Sequence, residues 1–175
     1  MIGRALTVAA VTAAVLLPQP PAEAATFQSL TISVPAAASL GSASTGAASI
    51  SGTLGSVTVT TGGSLSLSGS SQWTATVVST AFTTGQATSA ETIPASSVGY
   101  TSGSVTATSG LAANLCTPGQ LVTPVAIGTA QTAMTCGSVP LLTSTSVTWR
   151  PTVQISLPAS AVAGTYTGTI THSVA

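Results

Sequence analysis

Ionised side chains are almost absent from this chain. Only 2% of its 175 residues are charged, against about a quarter in an ordinary soluble domain. It has no Asp and no Lys: the acids are Glu23 and Glu91, the bases are Arg4 and Arg150, and the one histidine is His172. Phosphate recognition depends on several Lys or Arg contacts, so we expect no nucleic-acid partner.

The same scarcity argues against catalysis. Hydrolysis by paired carboxylates needs two acids at a set separation, and the predicted mature chain keeps only Glu91. The catalytic alternative is a Ser-His-acid hydrolase, which would combine a serine with His172 and Glu91. However, the sequence has no Gly-x-Ser-x-Gly motif to mark a nucleophilic serine. Metal catalysis needs about three protein ligands. We therefore predict a protein without catalytic residues, cofactor or metal.

Low charge does not make this chain a candidate for disorder. Disorder combines low hydrophobicity with high net charge, whereas the mean hydropathy here is +0.60 and 44% of residues are apolar. Ser and Thr supply about a third of the sequence, so its polarity comes from hydroxyls. The length fits one domain preceded by a targeting segment.

The N-terminus has the pattern of an export signal. A basic start at residues 1–4 precedes an apolar run at 5–17, and Ala22-Glu23-Ala24 fits a small-residue cleavage site. The run is shorter than the roughly 20 residues that span a bilayer. We predict a cleaved secretory signal peptide at 1–24, a single domain at 25–175 and an extracellular location. A buried N-terminal helix is the alternative.

Two cysteines, Cys116 and Cys136, remain in the predicted mature chain. In an exported protein an even pair predicts a disulfide. The closed loop of about 20 residues would stabilise the fold by on the order of 3 kcal/mol. Metal binding by the pair is the other interpretation, but it needs more ligands than His172 supplies.

The hydrophobic pattern predicts an all-β fold, an antiparallel β-sandwich. Short runs of period two alternate with Gly, Ser and Pro, and no helix of useful length is predicted outside the signal peptide. The clearest strand has one apolar face, formed by Val147, Trp149, Val153, Ile155 and Leu157. Pro151 within it indicates a sheet edge or a bulge, and Gly55 predicts a bulge between Leu54 and Val57.

The C-terminal segment alternates apolar and hydroxyl residues. Tyr166, Ile170, His172 and Val174 share one face with Gly168. The other face carries hydroxyls at Thr165, Thr167, Thr169, Thr171 and Ser173. Threonine suits a pleated surface, so the pattern predicts a strand whose outer side is solvated without charge.

Four side chains are candidate ligand or surface contacts: Trp73, Trp149, Tyr166 and His172. Both tryptophans lie in β-patterned runs, where a core position is the simpler interpretation; an exposed indole would instead offer a platform for a sugar ring. His172 is expected at the rim of the core. Glu91 and Arg150 form either an ion pair or two separate rim charges.

Two segments resemble the WxL-type surface domains of Gram-positive bacteria. Residues 69–77 (GSSQWTATV) are similar to the first Trp-x-Leu strand, with Ala75 in place of Leu. Residues 163–174 (AGTYTGTITHSV) are similar to the closing strand, with His172-Ser173-Val174 in place of the second motif. The resemblance implies an Ig-like β-sandwich that is secreted and held on the cell wall without a covalent bond.

These observations lead to one functional hypothesis and two alternatives. We expect a secreted, non-catalytic protein that associates noncovalently with a cell-wall polymer or a surface protein. The apolar tail and sorting signal of an anchored protein do not follow the last predicted strand, so we expect no membrane insertion after signal cleavage. The alternatives are a self-assembling fimbrial or coat-like subunit, built by strand addition, and a secreted hydrolase.

Overall fold

A computed structural model describes residues 29–44, 46–62, 71–109, 116–138 and 144–175. The predicted signal peptide and the start of the first WxL-like segment lie outside these residues. The described part contains short strands and two 3-10 turns, Ser89–Glu91 and Ala95–Ser97. The strands are β1 Leu30–Ser33, β2 Ser49–Thr53, β3 Val57–Thr61, β4 Ser71–Ser79, β5 Phe82–Thr83, β6 Thr92–Ile93, β7 Val98–Thr101, β8 Val105–Ser109, β9 Cys116–Pro118, β10 Val125–Ala126, β11 Gln131–Ser138, β12 Thr145–Trp149, β13 Thr152–Ser156 and β14 Ile170–Val174.

The strands form three four-stranded sheets and a two-stranded ribbon. We call the sheets A (β1-β3-β12-β8), B (β10-β7-β13-β2) and C (β14-β4-β11-β9); β5 and β6 form the ribbon. Every strand pairing within them is antiparallel. The predicted all-β class is confirmed, and the arrangement is consistent with a β-sandwich. In the described ranges, no helix has the length and apolar character needed to cross a membrane.

The apolar face predicted from Val147 to Leu157 belongs to two strands rather than one. Val147 and Trp149 pair in sheet A, whereas Val153 and Ile155 pair in sheet B. Burial nevertheless alternates without interruption from Thr145 to Ser156. The chain therefore passes from sheet A to sheet B at Pro151. Proline has no backbone N–H, so it suits a position between two strands, where no strand partner needs that donor.

Gly55 marks a second passage between sheets. It lies between β2 of sheet B and β3 of sheet A, with φ at +87°. The predicted bulge is therefore wrong: Leu54 and Val57 have opposite parity because a left-handed glycine separates two strands. The N–H of Leu54 donates to the carbonyl oxygen of Pro151 at 3.0 Å, so the two passages lie side by side.

The core contains the inward residues of all three sheets. Trp73 is paired with Cys136 across β4 and β11, and Cys136 is paired with Cys116 across β11 and β9. The predicted disulfide is confirmed between these two cysteines, whose Cα atoms are 4.1 Å apart. It fastens the edge strand β9 to the centre of sheet C.

The outer face of sheet A carries two ranks of hydroxyls. Register aligns Thr31, Thr60, Ser146 and Ser109 across all four strands, and Ser33, Thr58 and Thr148 across three, with Ala107 in the fourth. Neighbouring hydroxyls bond to each other, since the oxygens of Thr58 and Thr148 are 2.9 Å apart, as are those of Ser109 and Ser146. This face is polar but uncharged.

Candidate functional site at His172

The hydroxyl of Tyr100 joins side chains from three sheets. It accepts a hydrogen bond from Nε1 of Trp149 at 3.2 Å, and it lies 3.1 Å from Nε2 of His172. Trp149 is on β12 of sheet A, Tyr100 on β7 of sheet B and His172 on β14 of sheet C. Trp149 and Tyr100 are both 0% exposed. We call these residues the three-sheet cluster.

The direction of one bond in this cluster follows from the donor inventory, and the other is assigned. An indole N–H can only donate, so Tyr100 accepts from Trp149. The phenol oxygen can accept a second bond, so the direction of its contact with Nε2 of His172 is an assignment. We assign Tyr100 as the donor because its buried proton then has an acceptor, and the neutral imidazole carries its own proton on Nδ1.

Burial keeps the cluster uncharged at neutral pH. It lowers the pKa of His172 from 6.5 to about 4, because the charged imidazolium would lose its hydration. Burial also raises the pKa of Tyr100 from 10.0 to about 12, against the opposing effect of the Trp149 N–H and the nearby Ser102 hydroxyl. Both groups therefore act as neutral hydrogen-bonding groups.

A cavity of about 200 Å³ lies beside His172. One side is formed by the segment that follows β1, and the other by residues 168–170 and Phe82. The full lining is Val34, Pro35, Ala36, Ala37, Ala38, Leu40, Leu54, Val57, Phe82, Gly168, Thr169, Ile170 and His172. His172 is the one ionisable residue of this lining, and most of the others are apolar.

Glycine backbone allows the cavity walls to pack closely. A Cβ on Gly168 would lie 2.7 Å from ring atoms of Phe82, and a Cβ on Gly55 would lie 2.7 Å from Cγ of Pro35. Both distances are shorter than real Cβ contacts, so a larger residue would displace Phe82 or Pro35. The walls are therefore set by the backbone as well as by the side chains.

The second ring nitrogen of His172 is available to a ligand. Nδ1 has no hydrogen-bond partner among the residues that the structure describes, and no side-chain nitrogen or oxygen fully buried within them lacks a partner. Nδ1 is therefore not fully buried. Because Nε2 is turned to Tyr100, the assigned tautomer leaves Nδ1–H as the donor of the imidazole that remains for a ligand.

The two tryptophans lie in the core. Trp149 is 0% exposed and Trp73 is 4% exposed. A sugar platform requires an open aromatic face, and neither indole has one. The structure therefore gives these two candidate contact residues a packing role, and Trp149 additionally donates to the three-sheet cluster.

Tyr166 is half-buried and supports the loop before β14. Its hydroxyl lies within hydrogen-bonding distance of the carbonyl oxygens of Val162, at 3.0 Å, and Ala90, at 3.2 Å. It is not part of the cavity lining. Its contacts position the chain that leads to His172.

Glu91 and Arg150 have separate local partners. Oε2 of Glu91 accepts from the backbone N–H and hydroxyl of Thr88 and from the N–H of Gln86. These bonds, that of the Thr88 hydroxyl first, lower the pKa of Glu91. Nε of Arg150 donates to the hydroxyl of Ser56 at 3.3 Å. Glu91 thus caps its own turn, while His172 is held by Tyr100.

Metal ligands do not cluster in the described ranges. No group of three or more His, Cys, Asp and Glu residues there could hold an ion.

No family model, curated protein or solved structure matches this chain. The resemblance to WxL-type domains therefore stays a prediction from the sequence. The described parts of the two similar segments are nevertheless neighbours, since Ala75 pairs with Val174 and Thr76 with Ser173 across β4 and β14.

Sequence reasoning missed Tyr100 as the partner of His172. The two residues are 72 positions apart, and their contact depends on β7 and β14 meeting across the core. Alternation marks Tyr100 as an inward residue of its strand, but no local pattern indicates what its hydroxyl meets. The cavity has no sequence signal either, because its lining comes from separated segments.

Proposed function

We propose that this is a secreted, non-catalytic protein that associates noncovalently with a cell-wall polymer or another surface component. The observation that carries the proposal is the pair of hydroxyl ranks on sheet A. Such a face binds through hydrogen bonds and van der Waals contact, since it has no charge with which to attract a partner. The confirmed disulfide is typical of an oxidising, extracellular compartment.

The positions of the ionisable groups support a non-catalytic role. Glu91 caps a turn, Arg150 contacts Ser56, and His172 is held neutral by Tyr100. A Ser-His-acid mechanism needs its acid beside the histidine, whereas here the partner of His172 is a tyrosine that itself donates the proton. These groups serve local structure.

Fractionation of cells that express the protein tests this proposal. We expect the protein in the wall fraction rather than the medium or membrane, retained in about 1 M NaCl because salt screens only charged contacts. Urea should release it, since urea weakens apolar and peptide contacts. Finding the protein in the medium, or releasing it with salt alone, would reject the proposal.

Self-assembly is a second candidate, and β8, which is the last strand of sheet A within the described ranges, favours it. Four of the five residues of β8 are exposed, and the strand contains neither a charged residue nor Pro. Charges and Pro are common means of preventing edge-to-edge pairing. Sedimentation of the mature domain over a range of concentrations distinguishes the two functions: a monomer throughout argues against assembly.

A further inference from the structure

The cavity beside His172 has the properties of a small-molecule site. It combines an uncharged lining, to which polar and apolar groups both contribute, with an imidazole that Tyr100 holds from behind. Ligand sites combine apolar surface with a few polar groups that orient the ligand. We infer that this cavity binds a small uncharged group that presents one carbonyl or ether oxygen to Nδ1 of His172.

The size of the cavity limits the ligand. A volume of about 200 Å³ corresponds to roughly seven water molecules, at ~30 Å³ of liquid each. The group that enters is therefore a short chain or a single small ring. A longer molecule would place only one end in the cavity.

The lining selects an uncharged ligand. None of its residues carries a full charge at neutral pH, and burial opposes protonation of His172. An anion or cation that entered would lose hydration without gaining a partner of opposite charge. A neutral oxygen, by contrast, accepts the Nδ1 proton and leaves the bond between Nε2 and Tyr100 intact.

The site is largely formed before the ligand arrives. Phe82 packs on Gly168, Pro35 on Gly55 and Leu40 on Gly52, where a Cβ would lie 3.0 Å from the leucine side chain. Tyr100 fixes the imidazole from behind. Such pre-organisation reduces the ordering cost of binding, which is what allows a small ligand to bind measurably.

Nuclear magnetic resonance of the domain 25–175 with labelled histidine tests the inference with three probes of similar length. These are hexanamide, which is neutral and has a carbonyl; hexanoate, which is an anion; and hexylammonium, which is a cation. Before any probe is added, the imidazole nitrogens should report a proton on Nδ1. Hexanamide should then shift the Nδ1 signal saturably, with a Kd of the order of millimolar for so small a ligand. The ions should bind at least about fivefold more weakly.

Three variants separate the contributions. H172F keeps a ring but lacks Nδ1, and should weaken hexanamide binding about fivefold, the value of one net hydrogen bond. A37L places a larger side chain in the lining and should abolish binding without touching the three-sheet cluster. V122A is the control, because Val122 is 80% exposed and is not part of the lining; its binding should equal that of the unmodified domain. Binding to the variants is followed through backbone amide shifts.

Three results would overturn the inference: no saturable shift with hexanamide in the folded domain, equal binding of the three probes, or unchanged binding by A37L. The cavity plays no part in the proposed association with a surface. A37L should therefore remain with the wall fraction, so failure of ligand binding and failure of surface association are separate outcomes.

Discussion

The hydroxyl of Tyr100 lies 3.1 Å from Nε2 of His172 across the core, and it accepts a hydrogen bond from Nε1 of Trp149 at 3.2 Å. With Tyr100 assigned as the donor to His172, its buried proton and the indole N–H both have acceptors. One hydroxyl thereby connects sheets A, B and C and contacts the only histidine of the sequence. The stability of the domain should depend on this contact.

Removing the Tyr100 hydroxyl should be costly. Y100F keeps the ring but leaves the buried N–H of Trp149 without an acceptor and Nε2 of His172 without a donor. An unsatisfied buried group costs about 1–3 kcal/mol, so we expect a loss of about 2–4 kcal/mol in the free energy of unfolding. Denaturant titration of the domain 25–175 measures it. As a control, Y166F loses a hydroxyl that bonds only to loop carbonyls; an equal loss in both variants would contradict the special role of Tyr100.

The pH dependence of stability should reveal His172. Its pKa is about 4 in the folded state, below the ordinary 6.5, so the unfolded chain binds the proton more tightly. The contribution of neutral His172 to the free energy of unfolding is therefore complete above pH 6.5 and is lost as the pH drops towards 4. After allowance for partial exposure, we expect a loss of about 2 kcal/mol. The pKa of Glu91 is also lowered. Its protonation therefore reduces the free energy of unfolding only at the acid end of this range.

The variant H172Q isolates this contribution. Glutamine is polar but does not titrate, so the slope between pH 6.5 and about 4.5 should disappear, while the loss from Glu91 at lower pH remains. Urea unfolding at a series of pH values provides the measurement. A slope that persists unchanged in H172Q would show that another group causes it.

The disulfide should stabilise sheet C. Replacing both cysteines by alanine removes a cross-link between positions 20 residues apart, which corresponds to about 3 kcal/mol in the chain-entropy model. Cys136 is buried in register with Trp73, so we expect the fluorescence of that indole to change as well. Thermal unfolding with and without reductant checks the prediction; unchanged melting in the double variant would refute it.

Replacing Gly168 by a larger residue should reduce the stability of the domain. In G168A the new Cβ would lie 2.7 Å from the ring of Phe82, so the ring must move and the cavity wall with it. We expect a loss of about 1–3 kcal/mol, the usual cost of overpacking. The neighbouring exposed substitution T167A serves as control. Equal stability of the two variants would contradict this, because it would mean that Phe82 can move away from the new Cβ without cost.

The sequence pattern predicts which side chains of a strand face the core, but not which sheet the strand joins. Val153 and Ile155 alternate with exposed residues as predicted, because one side of each strand meets the core. At Pro151 the sequence predicts a sheet edge or a bulge, whereas the chain passes there from sheet A to sheet B. A proline interrupts strand hydrogen bonding in all three cases, so the local sequence does not distinguish them. The disulfide could be predicted because two cysteines offer only one pairing.

The site was predictable only in part. His172 is expected at the rim of the core, and it is half-buried there. Its bond to Tyr100 depends on strands distant in sequence, and the cavity depends on how residues 34–40 lie against residues 168–170. Alternation specifies which side of a strand faces inward but not which inward residues meet.

The ionic-strength dependence of binding tests the central claim most directly. The labelled domain 25–175 is titrated onto walls from cells that express the protein, at salt concentrations from about 0.05 M to about 1 M. Contact through uncharged hydroxyl faces predicts that Kd changes by less than about threefold, since no ion pairs are screened. A weakening of about tenfold or more would show that charge holds the protein to its partner, and would contradict the account.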